Sequence, residues 1–275
     1  ATQLLVASDS VIEGRHVPWG IDPAVIGRKA VLRNVSDVAA MANARPIATL
    51  ANIVLPRATE QQRAWRLQEG LRDTARTWNA PLVGGDVATT PSDDMRAPII
   101  ASVTILAVPA DAARPVATRR AARIGDGVYV TGTIGGAWDL ATGLGRHLDF
   151  TPRLAAAQDL FRALGDRLGA MIDISDGLGR DLGHIATQSG VAIEFSLARV
   201  PITPGCDPKR AIGQGEDYEL AFTARGEVPE RVAGVAITRI GTVVDGGPRV
   251  TMMDGTDRID ASTLGFEHDG DAQGG

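Results

Sequence analysis

Apolar residues fall along this chain in short runs that alternate with longer stretches of helical spacing. Leu4-Leu5-Val6-Ala7 reads as a strand that ends at Ser8-Asp9. From Pro23 to Ala44 small and apolar residues recur at the helical period, and Pro46 stops the run. Ile47–Leu55 is a predicted strand, and Thr59–Trp78 a predicted helix with Thr59 as its N-cap. Pro81–Val83 reads as a short strand closed by Gly84-Gly85-Asp86, and Ile99–Val108 as a longer one. The stretch Pro109–Arg123, rich in Ala, Arg and Pro, reads as a connection between domains.

A second set follows. Gly127–Thr131 is a predicted strand, Gly135–Leu144 a small-residue helix, and Pro152–Leu168 a helix with Pro152 near its first turn. Ala170–Ile174 reads as a buried strand ending at Ser175-Asp176, and Gly177–Ser189 as a helix closed by Gly190. Strands are then expected over Val191–Leu197, Glu219–Thr223, Val235–Val244 and Arg249–Met253. The pattern predicts an α/β (α+β) protein of two domains, 1–112 and 113–275.

Composition narrows the function. The 275 residues carry a net charge of −5, which argues against a nucleic-acid binder that works by neutralising phosphates. The most apolar stretch, Ala97–Ala110, is broken by Pro98 and Pro109 and falls short of the roughly 18 residues of a membrane helix. A single cysteine, Cys206, excludes a disulfide framework and multi-cysteine metal sites, and fits the reducing cytoplasm. Of the 28 basic residues only Lys29 and Lys209 are lysines, and neither stands in a P-loop context. The chain opens without Met and runs at once into an apolar segment, so it is expected to be a piece of a longer protein.

The candidate chemistry lies in aspartates near strand ends: Asp9, Asp86, Asp173 and Asp176, with Asp37 in or at the start of an Ala-rich helix. Taken singly, each reads as a turn former or helix cap. Gathered together, such carboxylates would repel by about 4 kcal/mol per contacting pair at an effective dielectric of about 20. A cation must then offset the charge, and all-oxygen ligation selects Mg²⁺ or Mn²⁺ over zinc. Of the histidines, His147, His184 and His268 read as surface or capping residues; His16 is a loop residue with no partner at zinc spacing.

The motifs in combination go further. Ser8-Asp9-Ser10-Val11-Ile12-Glu13-Gly14-Arg15-His16 and Asn34-Val35-Ser36-Asp37-Val38-Ala39-Ala40-Met41 resemble amino-terminal motifs of thiamine-monophosphate kinases. So do Gly84-Gly85-Asp86, Val130-Thr131-Gly132, Asp173-Ile174-Ser175-Asp176-Gly177-Leu178 and Gly215-Glu216-Asp217-Tyr218-Glu219-Leu220, in the family's order. The Gly-Asp and Asp-Gly pieces recur in the wider superfamily of aminoimidazole-ribonucleotide synthetase, selenophosphate synthetase and hydrogenase maturation proteins.

The resemblance implies a two-domain aminoimidazole-ribonucleotide synthetase-like fold whose amino-terminal domain dimerises through its strands. It implies ATP- and Mg²⁺-dependent conversion of thiamine monophosphate to thiamine diphosphate. Several Mg²⁺ ions would lie on Ser8, Asp9, Asp37, Asp86, Asp173 and Asp176; ATP on Gly85, Asp86, Arg119 and Ser175; thiamine monophosphate on His16, Glu216 and Phe266. No general base is needed, since the attacking phosphate is already ionised. The family's Gly-Asp-Asp segment before the first strand has no match here, Ala7 stands where a hydroxyl is common, and Gln214-Gly215 replaces a Gly pair. Alternatives are another ATP-using superfamily member, a cyclising synthetase or a selenophosphate synthetase (the latter disfavoured by Cys206 lying far downstream), and a nucleotide-binding dimer module without turnover.

Overall fold

A computed structural model of the chain describes residues 3–91 and 97–266. His268 lies outside the described residues. Two compact units divide the chain: one contains residues 1–116 and 138–158, the other residues 117–137 and 159–275.

The first unit is a four-stranded sheet with two helices on one face. Its strands are β1 (Leu5–Ile12), β2 (Ala44–Leu55), β3 (Leu82–Thr89) and β4 (Ile100–Pro109), in the order β1-β4-β2-β3. The β2–β3 pair is parallel, and the other two pairs are antiparallel. Helix α1 (Pro23–Ala40) starts where the sequence places it, with Asp22 as its N-cap accepting the Ala24 N–H at 3.0 Å. Helix α2 (Gln61–Thr77) packs on α1. Alternate residues of the sheet, among them Val11, Ala51, Ile53, Val103 and Ile105, are buried on the helix-covered face. The intervening residues stay partly or fully exposed, so one face of this sheet is open.

The second unit holds an eight-stranded sheet. Its strands are β5 (Gly127–Thr131), β6 (Leu168–Asp173), β7 (Ala192–Ser196), β8 (Leu220–Ala224), β9 (Arg231–Val232), β10 (Val235–Val244), β11 (Arg249–Asp254) and β12 (Asp257–Asp260). They run in the order β12-β11-β7-β10-β5-β8-β6, with β9 paired to β10. Of the remaining helices, α3 (Leu154–Leu164) bridges the division between the units in sequence. Helices α4 (Leu178–Ser189) and α5 (Pro208–Gly213) belong to the second unit, whose core joins Val128, Ile172, Leu182, Ile193 and Met252 among others.

Several expectations are corrected. Residues 135–144 form turns rather than a helix, because Gly135, Gly136 and Gly143 take positive φ of 82°, 69° and 67°. Thr59 is not the cap of α2; Glu60 holds that position without a side-chain cap bond. Strands β1 and β3 continue through Asp9 and Asp86, so these aspartates lie within strands rather than after them. His147 is buried rather than at the surface.

Candidate active site

In the first unit the strand register decides which candidate residues share a face. Ser10, Ser102, Asn52 and Asp86 stand opposite one another across all four strands, a polar row on the open face. Ser8 shares that face, its Oγ 2.9 Å from the Thr104 Oγ1. Asp9, one residue on, points to the helix side, 3.6 Å from the Arg33 guanidinium. Asp37 lies one helical turn beyond Arg33 on α1 and is half-buried. Ser8 and Asp86 therefore gather on one face, Asp9 and Asp37 on the other. Gly85 allows β3 to pass close to β2: its φ is +147°, and a Cβ there would meet the Ala51 carbonyl oxygen at 1.9 Å.

His16 closes a tight turn after β1. Its backbone N–H donates to the Ile12 carbonyl at 2.9 Å, and its Nδ1 accepts the Ile12 N–H at 3.0 Å. The neutral ring therefore carries its proton on Nε2. Buried Glu13 ties the same turn down, accepting the N–H groups of Gly20 at 3.0 Å and Ile99 at 3.2 Å.

In the second unit the loop after β6 is the centre of the site. Asp173 is buried at the strand end, and Ser175 and Asp176 are half-buried beyond it. Asp181, in the first turn of α4, holds this loop: one carboxylate oxygen accepts the N–H of Ser175 at 3.0 Å and of Asp176 at 3.1 Å. Burial first, then the charges of Asp173 and Asp176, push the Asp181 carboxyl well above its ordinary value. Asp176, Asp181 and His184 each offer a ligand atom, and all three atoms lie within 4.8 Å of one another. Partial burial and the Arg119 charge hold the His184 imidazole below its usual value, with Asp176 acting the other way. Arg119 itself is exposed, and its carbonyl accepts the Ser189 hydroxyl at 2.9 Å.

The loop before β8 meets this centre through the backbone. The Ser175 carbonyl accepts the Glu216 N–H at 2.7 Å, and the Asp176 carbonyl accepts the Phe266 N–H at 2.9 Å. Glu216 and Tyr218 both take left-handed backbone, at φ 56° and 52°, which a side chain makes costly. Neighbouring bonds hold the strain in place: the Tyr218 hydroxyl lies 3.3 Å from the Glu216 carboxylate, and Asp217 accepts the Gly135 N–H at 2.9 Å. Thr131 donates to buried Glu219 at 2.6 Å, joining the Val130-Thr131-Gly132 and Gly215–Leu220 motifs. Sequence reasoning did not single out Asp181, quoted Tyr218 only within a motif, and read His184 as a surface or capping residue. The spacing of Asp181 one turn into α4 was its only signal.

Residues 1–108 match the family model "AIR synthase related protein, N-terminal domain". That defines the class: an α/β protein built on the AIR synthase-related fold. The thiamine-monophosphate kinase of Escherichia coli (strain K12) is 34% identical over 268 residues, covering 86% of this chain and 75% of that protein. Among solved structures, thiamine monophosphate kinase from Aquifex aeolicus superposes with a TM-score of 0.76 at 29% identity, over 92% of this chain and 89% of that one. AaThiL complexed with AMPPCP and TMP gives a TM-score of 0.76 at 28% identity, over 91% of this chain and 84% of that one. The chain belongs to the thiamine-monophosphate kinase family.

Proposed function

We propose that this protein transfers the γ-phosphoryl group of ATP to thiamine monophosphate, forming thiamine diphosphate and ADP. A terminal phosphate oxygen of thiamine monophosphate attacks the γ-phosphorus; the new P–O bond forms as the bond to the β,γ-bridging oxygen breaks, and ADP leaves with those electrons. The attacking oxygen is already ionised at neutral pH, so the residues around it need only position and stabilise.

One observation carries the reading. Ser175 and Asp176, assigned to ATP and metal, are hydrogen-bonded through their carbonyls to Glu216 and Phe266, assigned to the acceptor. A single hydrogen-bonded body thus bears both assignments, as direct transfer requires. Glu216 offers a carboxylate, and Phe266 an exposed aromatic face, to the cationic thiazolium ring. His16 offers an Nε2–H to the acceptor phosphate, and Arg119 an exposed guanidinium to the ATP phosphates.

Mg²⁺ fits the donor set. Buried Asp173 and Asp181 crowd Asp176; burial first, and then the charges of Asp173 and Asp176, raise the Asp181 carboxyl. We assign one Mg²⁺ to Asp173 and Asp176 in the second unit and further Mg²⁺ to the first unit's Ser8, Asp9, Asp37 and Asp86, of which Ser8 and Asp86 share one sheet face and Asp9 and Asp37 the other, with Gly85 and Asp86 also against ATP. Bound there, Mg²⁺ supplies charge neutralisation to the polyphosphates. In this reading residues 1–112 bind ATP and Mg²⁺ and form a homodimer through the open sheet face, and residues 113–275 complete the catalyst. The lone cysteine supports a cytoplasmic setting. Among the described residues, no helix is long and apolar enough to cross a membrane.

The test is incubation with Mg²⁺, ATP and either thiamine monophosphate or thiamine, following ADP and thiamine diphosphate. Product from the monophosphate alone is expected. ATP binding without turnover would instead favour the nucleotide-binding module, and turnover of a different acceptor another superfamily activity.

A further inference from the structure

Lys29 is the one cation driven wholly out of water among the described residues, at 0% exposure in the middle of α1. A buried ammonium is costly unless each of its donors finds an acceptor. Its Nζ lies 2.6 Å from the carbonyl oxygen of His16 and 2.6 Å from the Nδ1 of His147. His147 in turn places its Nε2 3.0 Å from the Gly143 carbonyl, and its ring centroid 6.5 Å from that of Trp138. The ammonium requires Nδ1 as acceptor, so the His147 proton sits on Nε2 and donates to Gly143. Side chain, turn and helix thus close into one bonded body around a single nitrogen.

The residue type is itself informative. Of 28 basic residues 26 are arginines, so lysine is scarce throughout the chain. At position 29 the compact ammonium meets two acceptors at short range from different directions. A planar guanidinium, longer and forked, cannot reproduce that geometry.

We propose that Lys29 is a positioning residue for the phosphoryl acceptor: its ammonium sets the His16 turn, and so the placement of the His16 ring, by holding the His16 carbonyl to the buried His147. This rests on the reading that His16 contacts thiamine monophosphate. The anchoring is threefold. The His16 N–H and Nδ1 are both committed to Ile12, and its carbonyl to Lys29; Glu13 and the Gly14 N–H bond to Val17 hold the rest of the turn, so loss of the ammonium removes the Lys29 tie on His16 itself.

A double-mutant cycle on the full chain tests this. H16A should raise KM for thiamine monophosphate by about tenfold and leave KM for ATP within about twofold. K29M should do the same, and K29M added to H16A should change KM by less than about twofold, because no ring remains to be placed. NMR of histidine-labelled protein adds a readout that general loosening would not give: K29M should shift the ring signals of His16 and His147 and leave that of His184 in place. If K29M fails to melt cooperatively, H147Q replaces it in the same cycle, with the same expectation. An unchanged KM for thiamine monophosphate in K29M, or a full additional effect on top of H16A, would overturn the proposal. An unchanged KM in H16A would instead remove the reading of His16 on which it rests.

Discussion

Replacing Asp181 separates loop positioning from stability. In Asp181→Leu the N–H groups of Ser175 and Asp176 lose the carboxylate oxygen that accepts both, at 3.0 and 3.1 Å. Leaving a buried N–H without its acceptor costs about 1–3 kcal/mol, or roughly 2–6 kcal/mol for the two together. Both residues are half-buried, so water replaces part of this, and a net loss of about 2 kcal/mol in loop placement is expected. At 1.36 kcal/mol per tenfold, kcat/KM should fall roughly 30-fold. Asp181→Asn keeps an oxygen in place to accept both bonds and should stay within about threefold of the wild type. Stability should move the other way. Burial raises the Asp181 carboxyl in the folded state, so its contribution is complete below its unfolded value and is lost as pH rises through the folded one. In chelator, the neutral Asn variant should therefore melt above the wild type at pH 8, with the difference closing toward acid pH. The assays are steady-state production of thiamine diphosphate at saturating Mg²⁺ and thermal melts in chelator across pH. A Leu variant with more than a third of wild-type kcat/KM, or Leu and Asn variants equally impaired, would refute the argument.

Two further outcomes follow from the first sheet. Gly85→Ala places a Cβ 1.9 Å from the Ala51 carbonyl oxygen, which must force β3 from β2 and raise KM for ATP by about tenfold or more. Gly84→Ala, whose Cβ would meet nothing nearer than Leu50 Cδ2 at 3.5 Å, should remain within about twofold, and steady-state kinetics on the pair checks the contrast. Val6→Glu puts a charge on the open face, at a residue 53% exposed in β1, and should convert the proposed dimer to monomer in light-scattering mass measurements. A wild type that is already monomeric, or a variant still dimeric, would remove that face as the interface.

Elements with clear local start and stop signals were legible in the sequence. Strand β10 begins and ends at the residues expected of it, and α4 closes at Gly190 in the left-handed conformation. Strands β1 and β3 ran past their apolar starts because one sheet face is open and tolerates Ser8, Ser10, Gly84 and Asp86. The alternation of Ser8, Asp9, Ser10 and Val11 was the overlooked signal. Residues 135–144 misled because small residues at helical spacing look alike whether they pack or turn, and the glycines decided it. The turn after the buried strand at Asp173–Asp176 was readable because its turn chemistry is written locally. Lys29 and His147 were not, since each is defined by a partner 118 residues away in sequence.

The left-handed pair Glu216 and Tyr218 has a consequence for protein engineering. Glycine at 216 would relieve roughly 1–2 kcal/mol of steric conflict against about 0.5–1 kcal/mol of added chain entropy. A screen that rewards heat resistance alone would therefore enrich Glu216→Gly and discard the carboxylate assigned to the thiazolium. Thermostable variants of this enzyme should be selected with turnover in the same screen, because at this turn the two properties pull on the same side chain.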